Sequence, residues 1–260
     1  LAKLDRDKNG KCKPTINNAS LILNNDPSLK DVIRLDIFAQ LMVAIDDLPW
    51  RKVETSTRAF NDRDMASLRL YLERKYSLTG KGVIEDAYMD FLQHHTIHPV
   101  RNKLRSFHWD GMHRAETIFI DFLGASDTRY VRTVTRIFLR AAVMRVFVPG
   151  IKFDYMPILI GPQGIGKSTI LSKLAMGWFN DSLKDFKGKD AMEQIQGSWI
   201  NEIGELAALR KSEVEDIKQF LSSCEDKFRP AYGRKTELYP RQGVFVGTSN
   251  KPDIFRDMTG

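Results

Sequence analysis

The stretch Gly161-Pro162-Gln163-Gly164-Ile165-Gly166-Lys167-Ser168 decides the fold. It matches the pattern G-x-x-x-x-G-K-[ST] in full, with a short apolar run (residues 156–160) before it and a helical pattern (residues 168–176) after it. Glycines let backbone N–H groups surround phosphate oxygens, the lysine offers a cation to the β- and γ-phosphates, and the serine hydroxyl can bind Mg²⁺. The stretch therefore predicts a loop that binds ATP and Mg²⁺, with contacts from these eight residues and from Thr169.

Two further apolar runs, residues 198–203 and 244–248, predict strands, and the amphipathic segment 212–222 between them predicts a helix. Strands that alternate with helices indicate the α/β class with an open parallel sheet. Glu202 lies near the end of the first run, where a carboxylate can hold Mg²⁺ and orient or deprotonate water. In the common form of this motif two acidic residues end the strand side by side, whereas here the second one comes three residues later, at Glu205. Both glutamates are therefore catalytic candidates, and Glu202 is favoured. The alternative for Glu205 is that it only begins the next helix.

Asn250 follows the second apolar run. An asparagine after a strand is most often a turn residue. Here it comes after two other nucleotide-binding motifs in the expected order, and its amide can hydrogen-bond the attacking water or the γ-phosphate. We therefore predict Asn250 to be the residue that senses hydrolysis.

The sequence before residue 150 predicts mostly helices. One is predicted where apolar residues recur at 3.6 spacing, at Leu35, Phe38, Ala39, Met42 and Val43. A second follows Asn61, and a long one begins at the N-cap Ser126 and stops before Pro149. We predict a helical or winged-helix module over residues 1–95, a helical collar over residues 96–150 and a P-loop ATPase core over residues 151–260.

Composition excludes several classes of protein. With 260 residues, 42 % of them hydrophobic, the chain can bury a core, which excludes a disordered tail and a disulfide-stapled mini-protein. The two cysteines lie far apart in sequence, and no run approaches the ~20 apolar residues of a membrane span. We expect a cytoplasmic protein with no membrane partner. The net charge of +7 is compatible with binding to DNA.

Residues 199–206, 218–221, 226–234 and 247–250, together with Trp109-Asp110-Gly111, form a specific set of motifs. This set resembles the virulence-associated protein E family of phage- and pathogenicity-island-encoded NTPases, which is similar to superfamily 3 helicases of the AAA+ class. The likeness covers residues 95–260 well and residues 1–95 only loosely. It implies an AAA+-like, ATP-driven homo-hexamer that moves on single-stranded DNA during replication of a phage or mobile element in the bacterial cytoplasm. Other replication proteins are further expected partners.

The resemblance also gives roles to basic residues. Residues 228–239 predict two short strands around a Gly-Arg-Lys-Thr turn, and in ring helicases of this type a hairpin at this place projects into the central channel. Arg234 and Lys235 at its tip are therefore predicted to bind DNA phosphates. Arg229 is predicted to be the arginine finger that reaches a neighbouring subunit's γ-phosphate, with Arg241 as the alternative.

Four more arginines lie on one face of the helix predicted after Ser126. They are Arg129, Arg132, Arg136 and Arg140. Like charges repel and need counter-charges. We call these four residues the arginine stripe. The stripe therefore faces DNA or an acidic neighbouring subunit, or it is a solvated face paired to acids such as Asp121.

In the family, an Asn-Arg-Arg-Phe run follows an Asp-x-Thr-Gly motif, which here is Asp257-Met258-Thr259-Gly260. We therefore expect a core truncated before its last motif, without a sensor arginine from that run. We also expect a fragment, because the first residue is Leu1. The leading hypothesis is a DNA-dependent ATPase and helicase. The alternative is a nucleotide-gated module that binds DNA or a replication protein without unwinding.

Overall fold

The computed structural model describes residues 3–53, 58–183, 186, 188–204, 206, 211–229 and 235–252. The chain divides into two compact units, Leu1–His98 and Pro99–Gly260. Residues 99–150, predicted as part of a collar, therefore belong to the same unit as the glycine-rich loop. Among the helices of the described ranges, none is long and apolar enough to cross a membrane.

Over its described residues, the N-terminal unit combines three helices with a four-stranded sheet. Its elements in chain order are α1 (Ile16–Asn25), β1 (Ile33–Asp36), β2 (Leu41–Ala44), β3 (Arg58–Ala59), α2 (Asp62–Tyr76), α3 (Lys81–His94) and β4 (Thr96–Ile97). The sheet order is β3-β2-β1-β4, with β1 antiparallel to β2 and parallel to β4. The sequence analysis predicted a helical or winged-helix module here and assigned no strands within it, so it missed this sheet.

The helix predicted over residues 35–43 is wrong, since this segment forms β1, a turn and β2. The carboxylate of Asp36 accepts hydrogen bonds from the backbone N–H groups of Phe38 and Ala39, at 2.8 and 3.0 Å. An aspartate that bonds the backbone two and three residues ahead stabilises a turn in place of a helix. The apolar residues on either side then pair across the two strands.

The helix predicted after Asn61 is confirmed as α2. Asn61 accepts hydrogen bonds from two backbone N–H groups in the first turn, and Asp64 accepts one from the N–H of Asn61. This capping box satisfies N–H groups that have no partner within the helix. The favourable local chemistry explains why this helix is predictable from sequence.

A polar cluster ties α2 to the end of α1. The buried carboxylate of Asp26 accepts hydrogen bonds from the hydroxyls of Tyr71 and Tyr76, at 2.8 and 2.9 Å, and Lys75 lies 3.1 Å away. Burial opposes ionisation of Asp26, but these bonds and one from the Ser28 backbone outweigh it and lower its pKa. Burial and the neighbouring Asp26 raise the pKa of Tyr76 to about 12.

The second unit begins with helices and continues as alternating strands and helices. The helical part comprises α4 (Pro99–Arg105), a short 3-10 turn (Ala115–Thr117), α5 (Ile118–Leu123) and α6 (Arg129–Phe147). The alternating part comprises β5 (Ile158–Ile160), α7 (Lys167–Ala175), β6 (Phe179–Asn180), α8 (Gly188–Gln194), β7 (Ile200–Ile203), α9 (Lys211–Ser222), β8 (Glu225–Phe228), β9 (Glu237–Pro240) and β10 (Val244–Ser249).

The long helix α6 begins later than predicted, because its N-cap is Thr128 and not Ser126. The hydroxyl of Thr128 accepts a hydrogen bond from the N–H of Val131. In the arginine stripe, Arg132 pairs with Asp127 and with Glu116 of the 3-10 turn. Arg136 pairs with Glu116 as well. The counter-charges of these two arginines are therefore Glu116 and Asp127, and not the predicted Asp121.

Four strands form a wholly parallel sheet in the order β5-β10-β7-β6. This confirms the predicted α/β class with a parallel sheet. Strand β10, the last in sequence, lies between β5 and β7. Because parallel strands end at the same edge of a sheet, this order brings the carboxyl ends of all three side by side. An apolar core under the sheet includes Ile203, Phe220 and Phe245.

Helix α6 is fastened to the sheet by two polar side chains. The indole N–H of Trp199 donates to the carbonyl of Ala142, at 2.8 Å. Arg145 is buried and donates to the carbonyls of Gly243, Ile151 and Phe153. Burial and the nearby charge of Arg241 lower the pKa of Arg145.

Candidate functional site

The glycine-rich loop joins β5 to α7 at the carboxyl edge of the parallel sheet. Gly164 has a φ of +85° and Gly166 has a φ of +94°. Side chains rarely adopt this backbone region, and a Cβ at either position would meet no atom within 4 Å. The two glycines are therefore required by the backbone turn, and the space above them is open to a ligand. Gly166 caps α7, whose first residue is Lys167.

The ammonium group of Lys167 is held inside this loop. It donates to the carbonyls of Gly161 and Pro162, at 2.7 and 2.9 Å, and to Oδ1 of Asn250, at 3.1 Å. Lys167 is buried. A cation fixed in this way at a helix start, where the helix dipole is positive, favours binding of an anion.

Glu202 of β7 faces the first turn of α7. Its Oε1 accepts hydrogen bonds from the hydroxyls of Ser168, at 2.8 Å, and Thr248, at 2.6 Å. The residue is only 5 % exposed, and its Oε2 is buried with no hydrogen-bond partner among the described residues. Carboxylate and hydroxyl oxygens are the ligands that Mg²⁺ prefers. The Glu202 carboxylate, with one oxygen on the Ser168 hydroxyl and the other without a partner in the described residues, therefore fits a divalent cation.

These groups line a cavity of about 350 Å³. Its walls include Gln163, Gly164, Gly166, Lys167, Ser168, Thr169, Glu202, Gly204, Thr248, Ser249 and Asn250. The cavity thus offers a fixed cation and helix N–H groups on one side, and a carboxylate with two hydroxyls on the other. Such an arrangement can bind an anion and a hard cation next to each other.

The structure brings most of the predicted nucleotide-site residues together. Lys167 contacts Asn250 and Ser168 contacts Glu202, and these four residues, predicted from three separate motifs, line one cavity. Gly161 and Pro162 contribute carbonyls to the lysine, and Ile165 lines a neighbouring apolar cavity.

Thr248 is a functional candidate that the sequence analysis missed. It donates to Glu202 from the adjacent strand β10. The signal available in the sequence was a hydroxyl residue at the end of a mostly apolar strand, two residues before the predicted sensor Asn250.

The predicted DNA-binding hairpin is described only in part. Strands β8 and β9 form an antiparallel pair, in which Phe228 lies opposite Glu237. Lys235 is exposed between the strands, and Arg229 is exposed directly after β8. Arg234 and Glu205 lie outside the described residues, as does the Asp-x-Thr-Gly motif. Their predicted roles, and those of Arg229 and Lys235, stay predictions.

Arg241 does not fit the alternative role of arginine finger. It is 1 % exposed, its guanidinium pairs with Asp226 of β8, and it donates to the carbonyl of Phe220. The guanidinium also lies over the rings of Phe220 and Phe245. A finger must reach a neighbouring subunit, and a side chain enclosed in this way cannot. Arg241 instead fixes the base of the β8–β9 hairpin to α9.

Comparisons with known proteins place the chain in a family. A search of curated proteins finds no match. Among solved structures, "The apo structure of NrS-1 C terminal region (305-718)" aligns over 84 % of this chain and 54 % of that one, with 11 % identity and a TM-score of 0.47. "The A form apo structure of NrS-1 C terminal region-CTR" aligns over 84 % and 53 %, with the same identity and TM-score. The chain thus spans about half the length of these structures.

The family model of the virulence-associated protein E-like domain matches residues 104–260. Since this is more than half of the chain, the protein belongs to the virulence-associated protein E-like family.

Proposed function

We propose that the second unit is an AAA+-like P-loop ATPase that hydrolyses ATP with Mg²⁺ and drives a DNA helicase or translocase. The observation that carries this proposal is the convergence of Lys167, Ser168, Glu202 and Asn250 at one edge of a parallel sheet. A lysine, a hydroxyl, a carboxylate and an amide around a glycine-rich helix start are the groups that nucleoside triphosphate hydrolysis needs.

The triphosphate is bound by the loop and the start of α7. The backbone N–H groups at the helix start and the ammonium of Lys167 bind the phosphate oxygens. Lys167 now donates to two loop carbonyls and to Asn250, so a bound phosphate has to compete for these bonds. The γ-phosphate would then lie near Asn250. A residue that senses ATP hydrolysis has to be in this position.

Ser168 and Glu202 would hold Mg²⁺ through their oxygens. When bound there, the ion would supply positive charge to the phosphates. Glu202 also polarises the attacking water, with Glu205 as the second candidate for this step. Thr248 keeps the Glu202 carboxylate turned towards Ser168. An arginine from a neighbouring subunit, for which Arg229 is the candidate, stabilises the charge that develops in the transition state.

Hydrolysis would move the β8–β9 hairpin along single-stranded DNA in a homo-hexamer, with Arg234 and Lys235 on the phosphates. The family membership supports this assignment, and the biological setting would be replication of a phage or mobile element in the bacterial cytoplasm. Other replication proteins would join it there. The exposed position of Lys235 between the two strands supports the contact with DNA.

The experiment that tests the ATPase is DNA-stimulated ATP turnover by the full-length protein. We expect Lys167→Ala to lower turnover by at least about a hundredfold, because it removes a fixed cation from the phosphate site. Lys218→Ala is the matched control, since Lys218 is an exposed lysine on α9 that pairs with Glu215 and does not line the phosphate cavity. Normal turnover by Lys167→Ala contradicts the site. Strand displacement by the active protein separates a helicase from a nucleotide-gated binding module, which turns over ATP without unwinding.

A further inference from the structure

A second cavity, of about 410 Å³, lies beside the phosphate cavity. On one side it is lined by Ile118, Phe122 and Leu123 of α5, and on the other by Ile165, Ile170 and Leu174 of the loop and α7. The lining is thus predominantly aliphatic and aromatic. Neither the family match nor the motifs of the loop account for it.

The two cavities adjoin each other at the end of the loop and the first turn of α7. Gly166 and Thr169 line both of them. A ligand whose triphosphate lies against Lys167 and Ser168 therefore has its remaining part directed either to this apolar cavity or to solvent. The part of a nucleotide that is flat and largely apolar on its faces is the base.

Phe122 gives the cavity a group suited to a base. It is the aromatic residue of the lining, and 73 % of it is exposed. Exposure of a large apolar side chain has a cost in water. Stacking on a nucleobase would cover the ring and recover this cost. The aliphatic residues on the α7 side can cover the opposite face of the base.

We propose that this cavity holds the base of the nucleoside triphosphate, and that it binds the base by stacking on Phe122 with little discrimination among the four bases. The proposal rests on the proposed function, because the triphosphate positions the base. Among the lining side chains, the polar groups are the Thr169 hydroxyl and the Lys173 ammonium. Both are exposed, on flexible or rotatable bonds, so neither presents a fixed pattern of donors and acceptors to a base edge.

Base indifference follows from this lack of fixed polar partners. A pocket that hydrogen-bonds a particular group of its ligand rejects an analogue without that group by a factor of about 10⁴ or more. A hydrophobic pocket discriminates between similar ligands by only about a hundredfold. Stacking tolerates all bases, because every base has a π-face. The affinities for ATP, GTP, CTP and UTP should therefore lie within about a hundredfold of one another.

The test is calorimetric binding of ATP, GTP, CTP, UTP and inorganic tripolyphosphate, each with Mg²⁺, to the full-length protein. Phe122→Ala should weaken binding of all four nucleotides by about tenfold to a hundredfold, as loss of one stacking partner does. It should leave the affinity for tripolyphosphate unchanged. Phe122→Tyr should keep the nucleotide affinity, since it preserves the ring. Tyr130→Ala is the matched control, because Tyr130 is an aromatic residue of similar exposure that does not line this cavity.

The possible failures are distinguishable. If the unmodified protein binds none of the five ligands, the proposed function fails. If it binds tripolyphosphate as tightly as ATP, or if Phe122→Ala binds ATP normally, the phosphate site stands and the base site is overturned. A preference of more than about a hundredfold for one base overturns base indifference. A change in oligomer mass of Phe122→Ala, with normal ATP binding, assigns the cavity to contact between subunits and overturns the base site as well.

Discussion

Replacing Thr248 by valine tests whether the hydroxyl of this residue orients the carboxylate of Glu202, which we propose to be catalytic. Thr248 and Ser168 donate to the same oxygen of Glu202, and the other oxygen has no partner in the described part of the chain. Valine has almost the shape of threonine but lacks the hydroxyl. The variant therefore removes one hydrogen bond from a buried carboxylate with little change in packing.

The size of the effect follows from the contact. The Oγ1–Oε1 distance is 2.6 Å, and Thr248 is 6 % exposed. A hydrogen bond to a charged group contributes about 2 kcal/mol, so Tm should fall by about 4 to 8 °C. Loss of a group that orients a metal ligand typically costs about tenfold to a hundredfold in activity. We expect kcat to fall by that factor, while KM for ATP changes little, because Lys167 and the loop are untouched.

The assay is steady-state ATP turnover at saturating Mg²⁺, with Tm measured on the same samples. Thr248→Ser should restore kcat, since it returns the hydroxyl. Thr135→Val is the matched control, because Thr135 is a buried threonine on α6 that donates to the carbonyl of Val131. It makes the same substitution and should leave kcat unchanged. Full kcat in Thr248→Val, or an equal loss in Thr248→Ser, would refute the positioning role.

Three further predictions concern the loop, the hairpin base and the N-terminal unit. Gly166→Ala should cost about 1 to 2 kcal/mol by backbone strain at its φ of +94°, whereas Gly82→Ala in α3, at an ordinary φ, should stabilise slightly; thermal unfolding compares them. Arg241→Leu should destabilise by about 3 to 5 kcal/mol in urea, because it leaves a buried carboxylate without its partner. Adding Asp226→Leu should recover most of this loss, and no recovery would count against the ion pair. Because the pKa of Tyr76 is raised from 10.0 to about 12, its stabilising contribution is complete below pH 10 and is lost as pH rises to about 12. Circular dichroism should therefore show less alkaline destabilisation between these values in Tyr76→Phe than in the parent protein.

The edge of the parallel sheet is the part that sequence predicts best. Each motif there requires particular residue types at fixed spacing, and each follows an apolar run that marks a strand. Parallel strands end at one edge, so the motifs converge whatever the lengths of the connections. This is why Lys167, Glu202 and Asn250 could be assigned to one site before their contacts were known.

The N-terminal sheet could not be predicted in the same way, because the pattern of residues 35–43 fits two structures. Short apolar runs satisfy a helical period and a strand–turn–strand equally well. The deciding contact is the turn that Asp36 forms with two following N–H groups. An aspartate has this effect only where its neighbours leave the helical backbone, which depends on a strand pairing that sequence periodicity does not encode.

Two arginines near the hairpin show a similar limit on what sequence says about the role of a charged residue. Arg229 and Arg241 are both arginines close in sequence to the predicted hairpin, and both were candidates for the arginine finger. Arg241 is enclosed by Asp226 and two phenylalanine rings that arrive from other elements, while Arg229 is exposed. Whether an arginine acts on a neighbour or holds its own fold together depends on partners distant in sequence. Sequence can therefore bring the residues of a motif to one predicted site, but for an isolated arginine only the tertiary contacts decide between a structural and a chemical role.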